Sequence, residues 1–107
     1  MGEAAAMPHL LFFTSARSGP GRRMESLLAH LARKERGRLH ISRVDADAAP
    51  QLMERLAVTE IPTLVLLLGG KPVARIDGRA SAPRIERMLA EHLPAPPEGN
   101  PDRSLAA

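Results

Sequence analysis

A chain of 107 residues that is 44% apolar builds one compact domain with a modest core and is too short for two. It contains no cysteine, which excludes an internal disulfide, a thiolate nucleophile and a Cys-based metal site, and removes thiols as a guide to compartment. The net charge of +3 comes almost wholly from arginine, since Lys34 and Lys71 are the only lysines, and the two phenylalanines are the only aromatics. Bases find no stacking platform on such a surface, so nucleic acid is not an expected partner.

The first eight residues are alanine-rich and lack the basic segment and long apolar core of a signal peptide, and no apolar run approaches membrane-spanning length. They are expected to be a flexible start, residues 1–8, on a cytoplasmic protein that does not enter membranes. His9, His30, His40 and His92 are scattered. None pairs with another at ligand spacing on one helix face, so neither a metal nor a cofactor is expected.

His9 to Thr14 is a continuous apolar run ending in a small polar residue, the pattern of a buried central strand. A helix follows from about Gly19 to Arg36, with Met24, Leu27, Leu28 and Leu31 at i, i+3, i+4 and i+7 and a basic opposite face; Gly37 supplies a left-handed stop. Leu39 to Val44 alternates weakly, as a strand at a sheet margin does. Asp47 is expected to cap a shorter helix, with Pro50 in its first turn and Leu52, Met53 and Leu56 pointing inward. Leu64 to Leu68 is apolar on both sides, and Gly69-Gly70 marks a hairpin into the strand Pro72–Asp77. Ser81 then caps a last helix through Ile85, Met88, Leu89 and His92, with Pro83 in its first turn. From Pro94 onward the composition is that of a disordered Pro-rich tail, leaving 9–93 as the domain and 94–107 outside it.

Between the first strand and first helix lies Arg17-Ser18-Gly19-Pro20-Gly21-Arg22. Ser18 is placed to cap the helix, Pro20 suits its first turn, and the glycines admit close approach to the backbone. With Pro62 forty-four residues after Ser18, Glu60-Ile61-Pro62-Thr63 leads into the third strand. This pair resembles the thioredoxin family, whose Trp-Cys-Gly-Pro-Cys-Lys loop opens the first core helix opposite an Ile-Pro-Thr with a cis proline. The resemblance runs from about Leu10 to Leu93 and takes in Val44-Asp45-Ala46-Asp47, Gly69-Gly70-Lys71-Pro72 and Gly78. It departs from the family's pattern at the two absent cysteines, at Arg17 where the tryptophan stands, and at Phe12 where thiol-active members keep a buried aspartate.

The resemblance implies an α/β, thioredoxin-like three-layer sandwich with a minimal βαβαββα core and a four-stranded mixed sheet. Full-length members carry a further strand beside the equivalent of Leu39–Val44. Without it that strand is an open edge, blunted by His40, Ser42 and Arg43 or covered by a second copy, so monomer and edge-strand homodimer are both open. Disulfide exchange needs a thiolate, and a serine hydroxyl, protonated at neutral pH, cannot replace it. Ser18 as an activating hydroxyl lacks a nearby base, so no enzymatic activity is expected. Two binding functions remain. In the family, the backbone beside the proline pairs with an extended segment of a substrate, which needs no cysteine. Arg17, Ser18, Gly19, Pro20, Gly21, Arg22, Glu60, Ile61, Pro62, Thr63 and Gly78 would then hold a protein or peptide, with Arg17 favouring an acidic one, as a non-catalytic, chaperone-like module. Alternatively, the helix N-terminus with Arg17, Arg22 and Arg23 takes an anion such as phosphate, a carboxylate or a glutathione-like small molecule.

Overall fold

A computed structural model describes residues 7–17 and 19–93. The expected N-terminal flexibility falls mainly on residues 1–6, the Pro-rich tail on 94–107 and the capping role on Ser18; all three lie outside the described residues.

The elements run β1 (His9–Thr14), α1 (Gly19–Lys34), β2 (His40–Asp45), a 3-10 turn (Ala46–Ala48), α2 (Pro50–Arg55), β3 (Thr63–Leu68), β4 (Lys71–Asp77) and α3 (Ala82–His92). This is the expected βαβαββα order. The strands form one mixed sheet in the order β2-β1-β3-β4, with β1 and β2 parallel and the other two pairs antiparallel.

Period-2 alternation divides the central strands between two cores. Leu10 and Phe12 of β1 and Leu64 and Leu66 of β3 join Met24, Leu28 and Leu31 of α1 and Ile85, Met88 and Leu89 of α3 on one face. Leu11, Phe13 and Val65 turn to the other face, where Val58 and the half-buried Leu52, Met53 and Leu56 cover them. The result is three layers: α1 and α3, the sheet, then α2. Among the described residues no helix is long and apolar enough to cross a membrane.

Two local expectations change. The first helix stops at Lys34, and Gly37, at φ +87°, sits in the turn beyond it rather than directly after it. Asp47 caps nothing as an acceptor. Asp45 takes that role instead, its Oδ1 accepting from the Asp47 N–H at 3.0 Å at the head of the 3-10 turn, and α2 starts on Ala49 with no side-chain cap. The 3-10 turn lets the chain bend between β2 and Pro50, so the capping acceptor belongs to the turn that comes first. Ser81 does cap α3, accepting from the Arg84 N–H at 3.4 Å.

Candidate functional site: the loop end of the sheet

Sheet register gathers the predicted residues at one end. β1 leaves the sheet at Thr14, beside Asp45, and β3 enters it at Thr63, opposite Phe13 on one side and Asp77 on the other. The segment after β1, the segment before β3 and the residue after β4 therefore share this end. Arg17, Gly19, Pro20, Gly21 and Arg22 lie on the first, Glu60, Ile61 and Pro62 on the second, and Gly78 is the third.

The proline side is firmly fastened. The Ile61–Pro62 peptide is cis, and Pro62 and Thr63 are buried. Thr63 Oγ1 donates to the Glu60 carbonyl at 2.7 Å, while the Gly78 N–H donates to the Pro62 carbonyl at 2.7 Å. Gly78 has φ +85°, and a Cβ built there would stand 3.8 Å from Glu60 Oε2, an ordinary contact. Backbone conformation, not crowding, selects glycine at this position.

The helix side is a tight turn. Ser15 is buried, and its Oγ accepts from the Arg17 N–H at 3.3 Å, the local bond by which a hydroxyl stabilises a turn two residues on. Arg17, Arg22 and Arg23 are exposed, Gly21 is buried, and the first turn of α1 holds no acidic residue. Behind the turn, Phe12 is 2% exposed within the core under α1, so an apolar ring lies where a buried carboxylate would serve thiol chemistry.

The charge at this end is mixed rather than purely basic. Exposed Glu60 lies beside Gly78, and Asp45, Asp47 and Asp77 end or follow the neighbouring strands. Among the described residues no three His, Asp or Glu side chains come together as a metal site.

Sequence reasoning missed two residues that fasten the chain, Ser15 at this end and Arg75 within β4. Ser15 was legible as a hydroxyl two residues before an exposed arginine. Arg75 was not. Its Nη1 donates to the Leu56 carbonyl at 2.9 Å and its Nη2 to the Ala57 carbonyl at 3.0 Å and to Asp77 Oδ1 at 3.1 Å, contacts that exist only once β4 lies beside the end of α2.

Comparison with known proteins agrees with this geometry. The family model described as Thioredoxin matches residues 3–91. A thioredoxin from Alicyclobacillus acidocaldarius is 30% identical over 86 residues, covering 80% of this chain and 82% of that protein. The bifunctional thioredoxin reductase/thioredoxin of Mycobacterium leprae is 31% identical over 87 residues, 81% of this chain, but the chain spans only 19% of that protein. Among solved structures, the germline-specific thioredoxin Deadhead of Drosophila melanogaster superposes with a TM-score of 0.76 at 32% identity, over 84% of this chain and 86% of that one. Family match, structural superposition and sheet order agree, and the chain belongs to the thioredoxin family, as a member without cysteine.

Proposed function

We propose that this domain is a non-catalytic binding module that holds an extended segment of a protein or peptide beside Ile61, in the manner of a chaperone or assembly factor. The observation supporting this reading is the fastening of the chain on both sides of Ile61: Thr63 Oγ1 holds the Glu60 carbonyl and the Gly78 N–H holds the Pro62 carbonyl. A peptide unit kept rigid between two such points recognises a strand with its own N–H and C=O and asks nothing of a side chain. Disulfide exchange, by contrast, starts from a thiolate, and this chain has no cysteine. Arg17 and Arg22 on the helix side draw acidic residues of the bound segment, and Glu60 sets the opposite preference on the proline side.

Titrating an isotope-labelled chain with an extended acidic peptide tests this. Amide shifts are expected at Ile61, Gly78 and Arg17, and Arg17→Glu is expected to weaken binding about tenfold, a difference of about 1.4 kcal/mol, with the fold intact. Shifts confined to any other surface, or an affinity indifferent to Arg17→Glu, reject it. The acid-free first turn of α1 supports a second reading, an anion held at that helix start. Inorganic phosphate in the same titration separates the two, since it competes with the peptide only where both use Arg17 and Arg22.

A further inference from the structure

Two histidines that lie far apart in the chain meet in the sheet. His9 and His40 open the parallel pair β1 and β2 as directly facing residues, and facing residues project to the same side of a sheet. That side also carries Leu11, Phe13 and Val44, and the pair sits at the end of β1 opposite Thr14 and the loop end. The two rings lie with centroids 4.6 Å apart and planes inclined by 68°. His9 is half-buried and His40 exposed. Ser42, two residues further along β2, places its Oγ 2.7 Å from His9 Nε2.

We propose that His9 and His40 together bind a late first-row divalent metal, copper(II) in preference to zinc(II), through one ring nitrogen each, with water completing the coordination shell. The spacing of the rings suits a shared ion. A metal about 2.0–2.1 Å from an imidazole nitrogen lies about 3.2 Å from the centre of that ring. Two imidazoles at a right angle about one ion therefore have centroids about 4.5 Å apart, and two at the tetrahedral angle about 5.2 Å. The 4.6 Å of this pair fits the right angle of tetragonal copper(II) or nickel(II), and of these two copper(II) binds the more tightly.

The surroundings prepare the ligands. With Ser42 Oγ accepting from Nε2–H, the lone pair of neutral His9 lies on Nδ1; a ligating histidine commonly has its other N–H held in this way, which fixes the tautomer and the ring. His40 is exposed, and rotation about its broad χ2 presents a ring nitrogen at small cost. Paired strands hold both Cα atoms in place before any metal arrives, so binding orders little of the chain. Among the described residues no group of three His, Asp or Glu forms a closed metal site, which leaves the remaining positions to water. None of the loop-end residues takes part, so this inference and the peptide reading stand or fall separately.

Titration of the isotope-labelled full chain with copper(II) chloride, at about pH 7.5 where imidazole is neutral, tests the proposal. Paramagnetic broadening is expected to centre on the amides of His9, His40 and Ser42, and calorimetry to show one ion per chain, bound more tightly as copper(II) than as nickel(II) or zinc(II). Removing one of two linked ligands forfeits their joint action, so His9→Gln and His40→Gln are each expected to weaken copper(II) binding about tenfold or more. His30→Gln and His92→Gln should leave it unchanged. Because His40 is exposed, its variant separates ligation from folding. Electron paramagnetic resonance of the complex should show two equatorial nitrogens, and only one in His40→Gln. Copper(II) affinity indifferent to His40→Gln overturns the proposal. So does broadening centred on His30, His92 or the first residues of the chain, a preference for zinc(II), or no binding at millimolar copper(II).

Discussion

His9 and His40 begin neighbouring strands in parallel register, and their rings meet edge to face with centroids 4.6 Å apart. Burial of His9, and secondarily the positive charge of a protonated His40, lower the His9 pKa from its ordinary value. The folded state thus disfavours protonated His9, while the unfolded chain titrates near pH 6.5 (about the ordinary imidazole value). Folding stability is therefore complete above about pH 6.5, falls as pH drops from there through the lowered value, and is constant with respect to this group below it. Thermal unfolding between about pH 8 and pH 5 is expected to show the fall, and His9→Gln should flatten it. An unchanged profile in that variant would assign the slope to other groups. Ala57 illustrates strain at the same scale. It has φ +57°, the left-handed conformation that usually goes to glycine at a helix end.

At the scale of elements, α2 is the segment that needs outside support. It is six residues long, has no side-chain N-cap and buries no residue fully. Its C-terminus closes with the Val58 N–H on the Met53 carbonyl at 2.8 Å and the Ala57 N–H on the Glu54 carbonyl at 3.1 Å, a Schellman motif whose apolar partners Val58 and Met53 both join the second core. Arg75 then ties the carbonyls of Leu56 and Ala57 to β4. Because these bonds are exposed, their combined contribution is modest: Arg75→Ala is expected to lower stability by about 1 kcal/mol in urea denaturation. Arg75→Lys should recover little, since an ammonium cannot reach both carbonyls as a planar fork does. A loss no greater than that of a typical surface substitution would show that the Schellman motif alone holds α2.

For the whole molecule, the two faces of the sheet are unequally covered. Two helices of 16 and 11 residues seal one face, and α2 with the following turn covers some of the other. Phe13 is fully buried under this thinner layer, and burial of such a side chain contributes about 1.5–3 kcal/mol. Local opening follows buried apolar contact, so the layers should open in a definite order. Native-state hydrogen exchange is expected to show amides of α2 exchanging through local opening, faster than those of β1, β3 and the centre of α1, which should approach the global unfolding limit. Uniform protection across both layers would show that the sheet and α2 unfold as one unit.

The sequence by itself determined the kinds and order of elements, because these rest on local period and punctuation: the apolar run His9–Thr14, the helical spacing of Met24 to Leu31, the Gly69-Gly70 hairpin and the Ser81 cap. It also determined that the chain carries no thiol of its own, since composition alone decides that. The capping residue before α2 escaped it because Asp45 and Asp47 offer the same acceptor and only the turn geometry chooses between them. Tertiary structure decided what depends on residues far apart in the chain. Strand register brings Gly78 to Pro62 and His9 to His40, and the packing of α2 on the sheet brings its end to Arg75. No local pattern encodes which backbone groups of β2 face outward, because that depends on the neighbour the strand has already taken.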